Sequence, residues 1–592
     1  MRKPDPADGS FPWEETARSG SGLPAPVDTE RNSHLSTEGP PGVETPAPLP
    51  AGGPERSNEE RGRSIVRNTV IVTLFSALGR AFGIGRELVM NPVLGTRAGA
   101  DIYRFAVDRI AVDLYTKVEK LLQPTYLPLF VGRKVVAGEE AAWRFTCVTG
   151  TIQLLLLGVL AAFGSLWSHA VVDWFFPDAF MIDPVKVASA VNMLRLALVT
   201  LVIYSMSNLT ELTLQAYEEF TIPALAESLR KIAMLGTLLA AMAVLTHLNE
   251  YQAVSALVYG LLLGAVARLV CHLPALGRRL LHFRPSLDVS NPDVRKAGRL
   301  MVWPIGGMLL ALARNVVEMK TALRIGEGML AGLSAARKFI DLPWQILGVA
   351  VSQVIYPFIS ELGAKEKRSD LADALVSMCR VLAFVFVPFT ILLFATAEQL
   401  VSVLYERRLF TGASVDLTMT ALVCYIPGLV FFAIEDPMLK WFYALSDTRT
   451  PMLLGVLSDA TYFAVMFIGL RVLHAQLQAL ALAMVLSKAL KVLTCFVILR
   501  YKLGGLPWKR IYPFLGKLTA ASAVMVVALV LAGRACAPLA DGGLVHKATF
   551  VAVMSVSGLV PFAAMSLLLR IEEGGLVVQT VAGKVLRKLG RK

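Results

Sequence analysis

Between residues 65 and 571 the chain is almost one continuous series of apolar runs of membrane-spanning length. A spanning helix needs about 20 residues, because the hydrocarbon core is about 30 Å thick and a helix rises about 1.5 Å per residue. In lipid the backbone must satisfy its own hydrogen bonds, which leaves only helices or a closed β-barrel. A barrel is written in short alternating segments, and these runs are long and continuous. The sequence therefore predicts an all-α polytopic membrane protein. Two of the runs carry charge that lipid would not accept. VTLFSALGRAFGIGRELVM holds Arg80 and Arg86. DIYRFAVDRIAVDLYTKVEKLLQPTYLPLF holds Asp101, Arg104, Asp108, Arg109, Asp113, Lys117, Glu119 and Lys120. A charge at the bilayer centre costs about 2.5–3.5 kcal/mol on insertion scales, so such residues face a wet cavity or one another. The pattern predicts a central, largely cationic chamber and transport of something anionic.

The formal charge of +13 over 592 residues does not point to nucleic acid. Lys and Arg concentrate in alternate loops, as they do on the cytoplasmic side of membrane proteins. The six cysteines form no CxxC pattern, and the seven histidines form no HExxH. No metal site is expected. No Walker A sequence is present, so no ATP-driven step is expected. Energy is expected from the membrane potential or a monovalent cation gradient, without a bound cofactor.

Residues 1–62 are rich in Pro, Gly, Ser and Glu and lack the apolar core of a secretory signal. They read as a disordered N-terminal tail. About fourteen spans follow, near 66–90, 100–130, 146–167, 188–215, 222–246, 251–274, 298–324, 330–360, 378–404, 416–444, 451–473, 476–500, 512–533 and 549–570. An even number returns both termini to one side. Arg133 and Lys134, Arg278 and Arg279, Lys365 to Arg368, and Lys509 and Arg510 make that side cytoplasmic, with the loop at 168–187 outside. Arg407 and Arg408 dissent. An internal repeat also emerges. Gln123 to Pro128 resembles Gln353 to Pro357, and Tyr217 to Pro223 resembles Tyr443 to Pro451, at nearly the same offset. The shift equals six spans and preserves orientation, so two parallel-repeat lobes face each other across a cleft. The expected organisation is an N-lobe at 63–275, a C-lobe at 276–505, and two extra helices with a basic tail at 506–592.

Several stretches resemble the MurJ/MviN lipid II flippase family of the multidrug/oligosaccharidyl-lipid/polysaccharide exporter superfamily. Gly79-Arg80, Gly83 and Arg86-Glu87 are similar to the family's first helix, and Ala100 to Tyr103 to its Thr-Asp-Ala-Phe segment. Without a gap, the family's glutamate then falls on Glu119. Residues 220–232, 335–360, 404–422 and 442–451 resemble later signatures in the same order. The likeness covers roughly 66–500. The chain departs from the family where an arginine pair is replaced by Leu114-Tyr115, where Asp-Arg becomes Arg337-Lys338, and where the opening serine is Gly79. The resemblance implies a flippase that carries undecaprenyl-diphosphate-linked peptidoglycan precursor from the inner to the outer leaflet of the bacterial cytoplasmic membrane. It makes no bond and is not an enzyme. The implied partners are the lipid-linked glycan, membrane lipids and cell-wall synthesis proteins. The alternatives are a flippase of another polyprenyl-linked glycan and a transport-inactive scaffold for cell-envelope synthesis. Export of drug-like cations would favour an acidic chamber, against the Arg/Lys content.

Arginine suits a diphosphate because its planar fork donates two parallel hydrogen bonds and stays charged. Arg80, Arg86, Arg324 and Lys338 are the expected substrate contacts; Glu87 or Asp101 is the alternative partner for the first pair. Asp101, Arg104 and Asp108 recur at helical spacing and read as a gate or a self-neutralising stripe. Lys117 and Glu119 belong to the same set of gating or ion-pair residues. Asp341 reads as a local partner for Arg337 or Lys338. Asp459 and Lys488 read either as a mutual ion pair or, for Asp459, as part of a coupling-cation site.

Overall fold

A computed structural model describes residues 58–244, 249–288 and 292–574. The expected disordered tail (apart from 58–62) and the basic residues beyond 574 lie outside the described residues. The described residues form fourteen long helices and no strand. The first is α1 (Asn58–Leu94). The next runs unbroken from 98 into the stretch ending at Leu166, where Gly138, at φ +85°, divides it into α2 (98–137) and α3 (139–166). Then follow α4 (Pro184–Ala216), α5 (Thr221–Val244), α6 (Glu250–Leu276), α7 (Pro292–Ile325), α8 (Met329–Ala364) and α9 (Arg368–Tyr405). The rest are α10 (Gly412–Ala444), α11 (Arg449–Arg471), α12 (Leu477–Lys502), α13 (Trp508–Ala535) and α14 (Leu544–Leu568).

Local chemistry sets these boundaries. Asp183 caps α4 by accepting from the Val185 and Lys186 N–H groups, with Pro184 at the first helical position, where its missing N–H costs nothing. Asn249 and Gln252 satisfy each other's backbone donors in a capping box that starts α6. Between α10 and α11, Asp447 accepts from the Arg449 and Thr450 N–H groups at 3.1 and 3.0 Å and pairs with Lys502 at 2.7 Å. Partial burial raises the Asp447 carboxyl, but Lys502 and Thr450 outweigh it and hold it at about 2. Arg407, which dissents from the loop-charge pattern, donates from Nη2 to the Val403 carbonyl at 2.7 Å. It satisfies a terminal carbonyl of α9, which is a local use of its charge.

The repeat is visible in the helices. α2 and α8 begin at Ala98 and Met329, 231 positions apart, and α5 and α11 begin at Thr221 and Arg449, 228 apart. In the first lobe α5 packs on α6, and α4 on α3 and α6; in the second α8 packs on α10 and α11 on α12. The last two helices pack on each other and on α9. They share a separate apolar core that includes Phe384, Phe514, Met525 and Phe562. Arg380, which ion-pairs with Glu572 at 2.9 Å and Glu573 at 2.7 Å, ties the end of this unit to α9. Nine described stretches are long and apolar enough to cross a membrane, one of them covering α2 and α3 together. The other four long helices, α1, α5, α7 and α8, each bring buried or half-buried charge to the interior.

Alternating helices give the molecule two ends. One carries the links at 217–220, 365–367 and 503–507, and the other those at 95–97, 167–183, 326–328 and 406–411. At the second end the lobes touch backbone to backbone. Leu409 N–H donates to the Pro92 carbonyl at 3.0 Å. Gly95 and Gly328 stand at φ +63° and +83°, and a Cβ on either would lie 2.4 Å from the Leu409 oxygen or 2.1 Å from the Thr96 oxygen. Both the conformation and the approach require glycine.

Candidate functional site at the lobe interface

The charges of the second span do not follow one α-helical stripe. Arg104–Val112 is π-helical, and at its end the Asp113 N–H reaches the Asp108 carbonyl, five residues back. On an α-helix Arg104 and Arg109 would point about 140° apart. An i→i+5 ladder turns less per residue, so the two diverge less; Arg109 reaches Glu318 of the opposite lobe, while Arg104 stays on Glu87 and Asn91 of α1. π-Helical segments are rare and concentrate at functional sites.

Glu87, nearly buried on α1, is the centre of one cluster. It accepts from Arg86 Nη2 at 2.6 Å and from Arg104 Nη2 at 3.2 Å, and Lys338 Nζ of α8 lies 3.4 Å away. Arg104 also donates to Asn91 Oδ1 at 2.8 Å and to Asp108 at 2.5 Å. Arg86 and Lys338, from opposite lobes, therefore converge on one carboxylate. Arg80 lies exposed two helical turns along α1. Gly79, beside it, packs against α5, where a Cβ would sit 3.1 Å from Ser228 Oγ.

A second cluster bridges the lobes through Glu318 of α7. Arg109 donates to it at 2.6 Å and the Tyr462 hydroxyl at 3.2 Å, with Arg337 at 3.9 Å. Arg337 also pairs with Asp341 at 3.6 Å, the local partner that the spacing suggests. Asp113 accepts from Lys117 and, at 2.6 Å, from Asn315 of the other lobe. Asp459 is met by Arg314 at 3.1 Å. The expected Asp459–Lys488 pair does not form. Lys488 and Lys491, on one face of α12, both meet Glu435 at 2.7 Å.

At the second end the lobes exchange helix caps. Asp101 accepts from the Gly328 and Ala331 N–H groups, at 2.6 and 2.8 Å, and so caps α8. Glu327 accepts from the Ala98 N–H of α2 at 3.1 Å and from Lys186 at 2.6 Å. Each carboxylate meets orphan donors and the positive pole of the partner helix. The Thr96 and Ser414 hydroxyls, 2.8 Å apart, add a side-chain link. Arg324 lies here, donating to the Trp174 carbonyl at 3.3 Å, and not beside Arg86 and Lys338 as a shared phosphate site requires. α7 turns it toward the 168–183 segment.

Glu119 lies in neither interlobe cluster. It faces Tyr115, Glu211 and Arg268 inside the first lobe. Arg268, 2% exposed on α6, donates to Tyr115 at 3.0 Å and also pairs with Glu211. Glu227 accepts from Arg230 at 2.6 Å and from the Tyr204 hydroxyl at 3.1 Å. The replacement at Leu114-Tyr115 is thus accompanied by a guanidinium reaching Tyr115 from another helix. Glu211, Glu227, Arg230 and Arg268 were readable as charges inside apolar runs, the same signal that marks Arg86. Glu327 lies in a short link, where a carboxylate is unremarkable, and no sequence signal marks it.

Two bundles that exchange charge and helix caps across a seam, in a fold built for a membrane, define a two-lobe membrane transporter. The solved structure of "Lipid II flippase MurJ, inward closed conformation" superposes with a TM-score of 0.67 at 17% identity, covering 84% of this chain and 99% of that one. An inward-facing multidrug resistance MATE family transporter of the MOP superfamily gives 0.57 at 13% identity, over 74% of this chain and 98% of that one. Residues 90–541 match the family model described as lipid II flippase MurJ, and the chain belongs to that family. Its relatives include the lipid II flippase MurJ of Burkholderia cenocepacia, 25% identical over 66% of this chain and 76% of that protein. The probable lipid II flippase MurJ of Rhizobium tropici is 26% identical over 89% of this chain and 97% of that protein.

Proposed function

We propose that this chain moves lipid II, an undecaprenyl-diphosphate-linked headgroup, from the inner to the outer leaflet of the bacterial cytoplasmic membrane. The basic loops at Lys365, Lys367 and Arg510 support a cytoplasmic assignment for that end and for both termini, with the cap exchange outside. The described state is then closed at its outer end. The observation that carries the reading is the convergence of Arg86 and Lys338, from opposite lobes, on Glu87. A diphosphate entering between the lobes competes with that single carboxylate for two cations. Arg80, exposed nearer the cytoplasmic end, is the first cation the headgroup meets. Separation of the lobes at the outer end then breaks the Asp101 and Glu327 caps. The lipid tail stays in the bilayer, and no bond is made or broken.

The membrane potential is the favoured energy source, because Arg314 already answers the Asp459 carboxylate. A potential supplies about 2.3 kcal/mol per charge per 100 mV. Cell-wall synthesis proteins are the proposed partners, since they consume the delivered precursor.

The test is lipid II flipping in proteoliposomes, normalised to folded protein, alongside complementation of a flippase-depleted strain. Neutralising Arg86 or Lys338 to glutamine removes a charge-assisted contact of about 1.5–3 kcal/mol, so flipping is expected to fall by about tenfold or more. Arg86→Lys is expected to recover part of the rate, because an ammonium keeps the charge and lacks the fork. An unchanged rate in the Arg80→Gln, Arg86→Gln, Lys338→Gln triple variant would falsify anionic recognition at this seam.

A further inference from the structure

Lys320 and Arg324 are one turn apart on α7, on the face toward the 168–183 segment. Lys320 Nζ stands 3.6 Å from the centroid of the Trp174 ring, and Arg324 Nη2 donates to the Trp174 carbonyl at 3.3 Å. Trp174, on the short helix Ser168–Phe175, remains 49% exposed. Arg86, Arg104, Arg109 and Arg314 each meet a carboxylate. By contrast, the described contacts of Lys320 and Arg324 are a π face and a neutral carbonyl. A cation–π contact at an exposed position is worth about 0.5–1 kcal/mol. An anion displaces such partners far more readily than it displaces a carboxylate.

The position of this cluster gives the charge a use. It bridges the lobes at the outer mouth, beside the cap exchange. Trp174 meets Phe175 edge-on at 4.7 Å, and Phe175 meets Phe105 of the π-helical segment at 5.1 Å. Phe105 adjoins Arg104. Separation of the lobes at this end breaks the contacts of α7 with Trp174 together with the Asp101 and Glu327 caps. Two uncompensated cations and a half-exposed indole then stand free where the headgroup emerges.

We propose that Trp174, Lys320 and Arg324 form an exit subsite for the sugar-diphosphate portion of the transported lipid, occupied by its own residues while the outer end is closed. This rests on the lipid II reading above. The arginine fork and the lysine charge take the diphosphate, and the indole face takes the apolar face of a pyranose. Self-occupation lets the closed state release the product, because reclosing returns both cations to Trp174.

The experiment uses the full-length protein in vesicles of known sidedness, with soluble UDP-N-acetylglucosamine as the sugar-diphosphate probe. Added outside, the probe is expected to inhibit lipid II flipping. Lys320→Gln with Arg324→Gln is expected to raise the half-inhibitory concentration by about tenfold or more, and Trp174→Ala to raise it less. Inhibition by probe sealed inside is expected to stay unchanged in these variants. Failure of outside probe to inhibit the wild type overturns the subsite and leaves the flippase reading standing. A changed flipping rate with an unchanged half-inhibitory concentration also overturns it, and makes the cluster a latch only. A wild type that binds the probe but moves no lipid II overturns the proposed function. In that case, equal probe affinity in the wild type and the double variant overturns the subsite too. Melting curves of the variants, which alter exposed or half-buried positions, check that each is folded.

Discussion

Glu318 is 1% exposed, yet Arg109 and the Tyr462 hydroxyl both donate to it, with Arg337 close by. A carboxylate so placed is held by its partners, and they by it. Removing one member of a buried pair costs about 3–5 kcal/mol, because the other charge is left without a counterion. Glu318→Gln is therefore expected to lower the melting temperature in detergent markedly. The Arg109→Gln, Glu318→Gln double variant is expected to lose less than the sum of the two single losses, by about 0.5–3 kcal/mol. Strict additivity in the melting data would mean that the two side chains act independently. Asp101 is a different kind of acid, whose partners are backbone donors of α8. Asp101→Ala removes a helix cap worth about 0.5–2 kcal/mol and strands buried N–H groups. The closed outer end is expected to lose several-fold in population. Labelling of a cysteine introduced at Ala98, which is buried in the closed end, by an impermeant thiol reagent should accelerate accordingly, and an unchanged labelling rate would mean that the Asp101 cap does not hold this end closed.

At the scale of elements, the helices were legible because hydropathy and bilayer thickness act over 20 residues at a time. Every expected span between 66 and 570 overlaps a helix, and links at Gly138 and Gly328 fall where left-handed backbone demands glycine. The charged residues were legible too, since a charge in an apolar run is conspicuous. Their partners were not. Asp101 meets residues 227 and 230 positions away, and spacing carries no information at that range. Of the stripe read through Asp101, Arg104 and Asp108, the Arg104–Asp108 pair forms at the i,i+4 spacing, whereas Asp101 turns to the start of α8. The π-helical turn redirects the residues after Arg104, and no composition rule announces it. Glu119 was readable as an intramembrane acid, but its place inside the first lobe depends on Arg268 from α6. Gly328 supports a prediction at this scale. Its φ of +83° and the 2.1 Å approach of a Cβ to the Thr96 oxygen make alanine incompatible with the closed end. Gly328→Ala is expected to hold the outer end open and to depress flipping. Gly326→Ala, whose Cβ would meet only the flexible Met329 side chain at 3.6 Å, is expected to do neither. Equal flipping rates for the two would mean that the lobes do not need this contact.

For the whole molecule, flipping by alternating access requires the two lobes to part at one end while they meet at the other. The described polar contacts at the outer end include two exchanged caps, the Lys186–Glu327 ion pair, the backbone bond to Pro92, the Thr96–Ser414 hydroxyl pair, and the contacts of Lys320 and Arg324 with Trp174. Polar contacts of this kind, whose partners water can satisfy once the lobes part, suit an interface that must break in every cycle. The hydroxyl pair offers a way to hold it shut. The Thr96 and Ser414 oxygens are 2.8 Å apart, so cysteines at both positions place their sulfurs close enough to join after small rotamer changes. The six native cysteines are free and buried or half-buried, which leaves the introduced pair as the readily oxidised one. In Thr96→Cys, Ser414→Cys vesicles, an oxidant is expected to stop lipid II flipping, and a reductant to restore it. Each single variant is expected to be insensitive to the oxidant. If the cross-linked protein, with the bond verified by mass spectrometry, still flips at the reduced rate or faster, the headgroup does not leave between the lobes at this end. The same preparation tests the energy source. Raising the potential adds about 2.3 kcal/mol per moved charge per 100 mV, so the reduced protein should speed up with voltage while the cross-linked protein stays silent at every voltage.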